Sequence, residues 1–356
     1  MSTPTLDPGV APGRTAVALT EPRLPSWAPV LVGVAAVGVG ALLWILGASV
    51  AVGVLAALVV FLVALPGWSA AVESRRAAAD RLATSLVWST FAVAMIPLVW
   101  LVFTVLREGL STINVQFLTY QMRNVIGDQQ GGLYHALIGT LLVTGMAMLI
   151  SVPIGIFAAI YLVEYGRGTR LARVLTFLVD VMTGIPSIVA GLFALALFVL
   201  IFGPSIRFGF GGSVALSLLM IPTVVRSTEE MLRLVPADLR EASYALGVPK
   251  WRTILRVVLP TALGGIVTGV VLAVSRIIGE TAPLLVVAGA TDSVNTNLFE
   301  GRMTTLPVFI YQQFSLATPK GLSYAWGGAL VLIAIVMILN IVARIIGRVF
   351  APKTGR

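Results

Sequence analysis

The sequence predicts an all-α polytopic membrane protein, and three observations support this fold class. Only 11% of the 356 residues are charged, whereas 58% are hydrophobic, which is the composition of a membrane protein. Several charge-free runs exceed the about 20 apolar residues needed to cross the hydrocarbon of a bilayer. Arginine and lysine concentrate in alternate loops between these runs, as expected when basic residues stay on one side of the membrane.

The charge-free runs locate the spans. Residues 24–72 form one run that is too long for a single helix, so we expect two helices with a hinge at residues 47–49, Gly-Ala-Ser. Six further runs follow the same pattern: 82–106, 129–163, 181–206, 208–225, 257–275 and 321–343. The sequence therefore predicts eight transmembrane helices.

The basic residues predict the orientation. The loops assigned to the cytoplasm hold 18 of the 24 Lys and Arg residues, the exterior segments hold 5, and Arg276 lies in a membrane segment. We therefore expect a multi-pass protein of the bacterial plasma membrane with both termini in the cytoplasm. The net charge of +9 is explained by topology, which disfavours nucleic-acid binding, because that function gathers basic residues on one soluble face.

Residue types exclude several kinds of chemistry. The chain has no cysteine and one histidine, His135, so we expect no metal site and no catalytic residue. The phosphate-cradling pattern G-x-x-x-x-G-K-[ST] is absent. The chain is therefore not expected to hydrolyse ATP or to hold a cofactor by itself.

A polar stretch, "PADLREASYALGVPKWRTILRVVLP" (236–260), interrupts the apolar sequence. Asp238 and Glu241 predict a capping box at the start of a helix. Gly247 fits the left-handed position that ends this helix, and Pro249 suits the first turn of the next one. Two short helices are expected to meet at Gly247.

The first of these helices has a small apolar face. Leu239, Ala242 and Leu246 recur at spacings of three and four residues, beside charged neighbours. Such a helix either lies on the lipid headgroups or buries this face against a partner.

The stretch resembles the EAA loop of bacterial ABC importer permeases, whose pattern is Glu-Ala-Ala, three residues, Gly, nine residues, then Ile-x-Leu-Pro. Ser243 and Val257 depart from this pattern by small changes of size. The residues that match it are Glu241, Ala242, Gly247, Leu259 and Pro260. The resemblance implies that segment 238–260 couples the chain to a separate ATPase, which would bind the ATP and Mg.

Further motifs resemble the phosphate-specific transport permeases, in particular the PstA subunits. They are "SVPIGIFAAIYLVEYG" (151–166), "GIPSIVAGLF" (184–193), "RSTEEMLRLVP" (226–236) and "RIIGETAPLL" (276–285). This resemblance implies a MetI-like core of six helices, at about 130–347 within a transmembrane domain 82–356. The leader 1–26, expected to be disordered, and the helix pair with its loop at 27–81 lie outside that core.

The same resemblance implies an assembly and a substrate. The expected partners are a PstC-like permease or a second copy of the chain, a PstB-like ATPase dimer and a PstS-like phosphate-binding protein. Transport of inorganic phosphate would proceed by alternating access. Alternatives are a permease for molybdate or sulfate, the PstC-type paralogue, or a secondary transporter, and the EAA-like loop argues against the last of these.

Charged residues inside the membrane are the candidate pathway residues. Arg276 and Glu280 follow a charge-free run, and their i, i+4 spacing predicts an ion pair on one face of the seventh helix. They are either a structural salt bridge or an anion site in which the forked guanidinium binds phosphate. The Arg and Glu of R-x-x-G-E-T are implicated in transport in the permeases that this chain resembles. Arg226 is either a second station or a positive-inside anchor.

Three other features of the sequence lead to expectations. Gly184, Pro186 and Gly191 are expected to kink a spanning helix, although a broken helix lining the pathway is the alternative. Asp180 is expected to be an interfacial hydrogen-bonding residue at the end of that helix. The long exterior segments 107–136 and 291–323 are candidates for contact with a binding protein.

Overall fold

A computed structural model describes residues 23–125, 127, 129–166 and 168–349, and the regular structure of these residues is entirely helical. The all-α fold class is thus confirmed. Most of the leader 1–26 lies outside the described residues, as do Arg14, Arg167, Lys353 and Arg356. The helices in chain order are α1 (Ala28–Ile45), α2 (Val50–Val72), α3 (Arg75–Leu110), α4 (Val115–Thr119), α5 (Tyr134–Ile160), α6 (Arg170–Thr183), α7 (Ser187–Phe202), α8 (Gly209–Leu234), α9 (Ala237–Ala245), α10 (Lys250–Thr253), α11 (Leu259–Ile277), α12 (Ala282–Val287), α13 (Leu306–Ser315) and α14 (Pro319–Val349).

Two helices are extended by π-helical turns, Tyr161–Tyr165 after α5 and Ile254–Val258 between α10 and α11. With these turns included, seven helices of the described chain are long and apolar enough to cross a membrane. The remaining predicted span, 181–206, corresponds to the bent pair α6 and α7. Eight crossings result when this pair counts as one span.

The chain divides into two compact units, an N-terminal unit up to Leu101 and a C-terminal unit from Val102 onward. The division falls within α3, which also contains the position 81/82 where the sequence suggested that the core domain begins.

In the N-terminal unit, α1 and α2 form a hairpin, and the predicted hinge at residues 47–49 is confirmed. Ser49 caps α2 by accepting a hydrogen bond from the Val52 N–H. The two helices approach through backbone, since a Cβ built on Gly40 would lie 2.5 Å from the carbonyl oxygen of Gly53. Small residues allow such close approach where lipid removes any hydrophobic drive for association.

Glu73 organises the end of this hairpin. Its carboxylate accepts hydrogen bonds from the Leu24 N–H at 2.7 Å, the Ser69 hydroxyl at 2.5 Å and the Arg81 guanidinium at 2.7 and 2.8 Å. The ionised carboxylate is favoured by these donors, with Arg81 the largest cause, and the pKa of Glu73 falls from 4.5 to about 2. The cluster thereby ties residue 24 to α2 and α3.

In the C-terminal unit, α8 packs along α5. Ser213 and Ser217 of α8 donate hydrogen bonds to the carbonyls of Val143 and Ala147 at 3.0 and 3.4 Å. Gly155 of α5 faces Val224, whose Cγ1 would lie 2.6 Å from an added Cβ. The pair therefore combines small residues with interhelical hydrogen bonds, the two means of association available in lipid.

The predicted span 181–206 is not one helix. Helix α6 ends at Thr183, α7 starts at Ser187, and the two are bent by 111°. Pro186 explains the break, because proline lacks an N–H and disfavours helical geometry at the preceding residue. The kinked-helix interpretation is wrong, and Gly191 lies in α7 packed against Pro283 of α12.

Candidate functional site

The candidate coupling segment, residues 237–260, extends the predicted segment 238–260 to the start of α9 and contains α9, α10, a π turn and the start of α11. Its first helix begins at Ala237, with Pro236 in the N-cap position and no side-chain cap. Asp238 lies in the first turn, so the predicted capping box of Asp238 and Glu241 is wrong. With Pro236 as N-cap, the helix starts two residues earlier than predicted. The Glu241 side chain is exposed to solvent.

Gly247 adopts the predicted left-handed conformation, with φ of 73°. No atom lies within 4 Å of a Cβ built on it, so its backbone conformation and not its size requires glycine. The Gly247 and Val248 N–H groups donate to the carbonyls of Tyr244 and Ser243 at 2.9 and 3.2 Å. Pro249 then precedes α10 as its N-cap, outside the first turn where the sequence placed it.

The two faces of α9 differ sharply. Leu239 and Leu246 are 41% and 82% exposed, and Ala242 between them is exposed as well. On the opposite face Ser243 is buried, and its hydroxyl lies 2.9 Å from that of Thr253 in α10. The predicted apolar face therefore has no cover within the described part of this chain.

The matched residues of the EAA-like pattern fall into two places. Glu241, Ala242 and Gly247 lie on α9 and the turn that follows it, exposed to solvent. Leu259 and Pro260 begin α11 instead, beyond the π turn. The structure thus brings three of the five residues together and places the other two at the base of the segment.

A buried ion pair, absent from the sequence-based predictions, anchors the segment. Arg240 of α9 donates two hydrogen bonds to Glu164 Oε1, at 3.0 and 2.9 Å. The Glu164 and Arg240 side chains are only 5% and 14% exposed. A signal existed in the sequence, since Glu164 ends a long charge-free run and a buried carboxylate needs a partner.

Arg226 lies in a network of charged residues in the C-terminal half of α8. Its guanidinium donates hydrogen bonds to the carboxylates of Asp180 in α6 and of Glu229, the latter at 2.9 Å. Glu229 also accepts a hydrogen bond from Arg233 at 2.5 Å. Asp180, in the last turn of α6, therefore has an ion-pair partner. An anion binding to Arg226 would compete with two carboxylates.

Arg276 and Glu280 do not form the predicted pair on one helical face. Helix α11 ends at Ile277, and Glu280 lies in the turn before α12, with its N–H bonded to the Ile277 carbonyl at 3.1 Å. Within the described residues no ion pair or hydrogen bond joins the two side chains. Arg276 is exposed and Glu280 half-buried. The i, i+4 argument failed because the helix stops before its second member.

The two long segments that the sequence predicts to be exterior meet at one cavity. The Gln121 side-chain oxygen accepts a hydrogen bond from the Val294 N–H at 2.8 Å. The cavity, about 710 Å³, is lined by polar residues of both segments, including Arg123, Gln130 and Ser293. The described residues contain no group of three His, Asp or Glu side chains that could hold a metal ion.

The chain is similar to several known proteins. A family model described as "Binding-protein-dependent transport system inner membrane component" matches residues 151–356. Among solved structures, the inward-facing MetNI methionine ABC transporter aligns with 62% of this chain and 95% of its own, at 21% identity and a TM-score of 0.49.

Curated relatives are more similar in sequence. The phosphate transport system permease protein PstA 1 of Mycobacterium tuberculosis is 47% identical over 76% of this chain and 90% of its own length. The PstA proteins of Mycobacterium leprae and Haemophilus influenzae are 45% and 39% identical, over 76% and 75% of this chain and 89% and 93% of their own. The chain therefore belongs to the family of binding-protein-dependent transport system inner membrane components.

Proposed function

We propose that the chain is a membrane-spanning subunit of an ATP-driven importer of inorganic phosphate and forms half of its translocation pathway. The observation that carries the proposal is the uncovered apolar face of α9, a short helix that lies between the long helices α8 and α11 and is followed by a left-handed Gly247. This face suits the groove of a separate ATPase subunit, and the relatives named above are phosphate transport permeases.

The proposed assembly contains two permeases, either this chain with a PstC-like subunit or two copies, a PstB-like ATPase dimer and a PstS-like binding protein. ATP and Mg would bind the ATPase subunits. The exterior cavity at Gln121 and Val294 joins the two segments proposed to receive the loaded binding protein. The N-terminal helix pair is proposed to be accessory to this assembly, since it lies outside residues 151–356 that match the family.

The proposed substrate pathway includes Arg276, Glu280 and Arg226. Arg276 offers a forked guanidinium that no carboxylate occupies among the described residues, which suits a phosphate oxyanion. Glu280, in the turn after α11, supplies negative charge nearby in sequence that limits how tightly an anion binds. Arg226 is the weaker candidate, because Asp180 and Glu229 already hold it.

Gly247→Val tests the coupling role. A β-branched residue resists φ of 73°, so the segment would distort, and we expect ATP-driven uptake of labelled phosphate to be lost while the protein stays in the membrane. Gly203→Val is a matched control, since Gly203 has φ of 95° and equally open surroundings but lies after α7. Normal uptake and normal ATPase stimulation in Gly247→Val would refute docking through this segment.

Competition identifies the substrate. Proteoliposomes carrying the complete complex should accumulate labelled phosphate, and unlabelled phosphate should compete better than sulfate or molybdate. Stronger competition by either of these anions would assign the chain to another oxyanion.

Reporter fusions test the proposed orientation. Reporters at residues 120 and 305 should be exterior, and those at 78, 168 and 245 cytoplasmic, as the distribution of basic residues predicts. An exterior reporter at 245 would place α9 on the wrong side to meet an ATPase.

A further inference from the structure

Glu164 holds both halves of the coupling segment. Its carboxylate accepts two hydrogen bonds from Arg240 of α9, at 3.0 and 2.9 Å. Its backbone carbonyl accepts a hydrogen bond from the ammonium of Lys250, the first residue of α10. The same ammonium lies 4.9 Å from the centre of the Tyr165 ring, within cation–π distance. One residue at the end of α5 therefore contacts the helices on either side of Gly247.

Arg240 also connects α9 to the end of α8. Its Nη2 and Nη1 also donate to the carbonyls of Leu232 and Val235, at 2.9 and 2.6 Å. These carbonyls lie at the end of α8, where the helix itself supplies no N–H donors. Helices α5 and α8 are already bound to each other through Ser213 and Ser217. A displacement of α9 would thus reach both helices together.

Stability alone is a poor reason for this arrangement. Burying two charges costs desolvation energy, and replacing such pairs by apolar residues is often neutral or stabilising. The pair instead links positions 76 residues apart, and it does so in the π turn that ends α5. Isolated π turns occur frequently at functional sites. The geometry is that of a connection between separate helices.

We propose that Glu164 and Arg240 are positioning residues that carry the displacement of α9 to α5 and α8 during the transport cycle. This inference rests on the proposed function, in which α9 docks on a separate ATPase. It adds that the mechanical connection runs through one buried ion pair, and that this pair is required for ATP hydrolysis to produce transport.

Glu164→Gln and Arg240→Gln test the connection in the complete complex with its partner subunits, reconstituted in proteoliposomes. Labelled-phosphate uptake and ATP hydrolysis are measured on the same vesicles. We expect the complex to assemble and hydrolyse ATP, whereas phosphate imported per ATP falls by at least about fivefold, the lower range of coupling between sites.

Arg233→Gln is the matched control. Arg233 also pairs with a buried glutamate, Glu229, but that bond lies within α8 at i, i+4 spacing and is not a link between helices. Its loss should leave the ratio of uptake to hydrolysis unchanged. A fall in this ratio equal to that of Arg240→Gln would contradict the proposal, because removal of any such arginine would then suffice.

Arg240→Lys keeps the positive charge but not the forked guanidinium. Its ratio of phosphate imported to ATP hydrolysed should lie between those of wild type and Arg240→Gln. If both Gln variants fail to assemble, this variant carries the test, and an assembled Arg240→Lys complex with the wild-type ratio overturns the proposal. An unchanged ratio in Glu164→Gln does the same. Failure of the proposed function looks different, since Gly247→Val would then transport normally or the wild-type complex would import no phosphate.

Discussion

The two units use different means to hold helices together. In the N-terminal unit, 22% and 17% of the most apolar stretches of α1 and α2 are buried, whereas α8 at the centre of the C-terminal unit reaches 61%. The hairpin relies on Gly40 and Gly53, with its polar contacts gathered at Glu73. The α5–α8 pair adds serine hydrogen bonds along its length.

This difference has a physical meaning. Lipid provides no hydrophobic drive for helix association, so buried polar contacts and close packing mark the helices whose relative positions are most constrained. The C-terminal unit concentrates such contacts around α5, α8 and the coupling segment. The comparison therefore predicts that transport depends on the C-terminal unit, while changes in the N-terminal unit act locally.

The largest expected effect is at the proposed phosphate pathway. Arg276→Gln removes a charged donor whose hydrogen bonds to an anion are each worth about 1.5–3 kcal/mol, so phosphate uptake should fall by more than about tenfold. Glu280→Gln should also eliminate phosphate uptake. Arg276→Lys should transport little more phosphate than Arg276→Gln. The control in the N-terminal unit is Arg76→Gln, at an exposed position, which should transport normally.

Assembly is measured alongside uptake by co-purification of the partner subunits. Normal uptake by either Gln variant in the pathway would refute the role of that residue. Loss of assembly would instead indicate a structural role for these charges.

The second largest effect is expected from substituting Gly155, compared with Gly40, which is about equally crowded. Gly155→Val forces a side chain into Val224, and such overpacking costs about 1–3 kcal/mol. We expect lower thermal stability and lost uptake. Gly40→Val meets the Gly53 carbonyl and should open the hairpin, yet leave uptake intact. Equal losses of uptake in both variants would break the comparison.

A smaller effect is expected from removing the hairpin. Deletion of residues 1–73 should reduce the amount of protein in the membrane without abolishing uptake per molecule, because the family match at 151–356 does not include the hairpin. Uptake normalised to the quantity of complex is the measurement. Complete loss at normal abundance would show that the N-terminal unit takes part in transport.

The smallest effect is the pH dependence of the Glu73 cluster. The folded-state pKa of Glu73 is depressed from 4.5 to about 2, so its contribution to stability is present above pH 4.5 and is lost as pH falls toward 2. Glu73→Gln should therefore lower the Tm of the N-terminal unit near neutral pH. The difference in Tm from wild type should shrink as the pH falls from 4.5 toward 2. Asp80→Asn, at an exposed position, should show no such trend.

The sequence predicted the long elements better than their ends. Hydropathy located the spans and the hinge at residues 47–49, because these depend on composition over many residues. The capping pattern failed at Asp238, because Pro236 sets the start of α9. The i, i+4 spacing failed at Glu280, because α11 ends before the turn that contains Gly279. The Glu164–Arg240 and Asp180–Arg226 pairs escaped prediction, since they join positions 76 and 46 residues apart that only packing brings together.

The π turn at Ile254–Val258 sets the angular register between α10 and Arg276 of α11. Each residue advances an α-helix by about 100°, so one residue more or fewer in this turn rotates α10 about the axis of α11 by that amount. The number of residues in this turn therefore sets the direction in which Arg276 projects relative to the direction of α10. Inserting a residue here would change that relation.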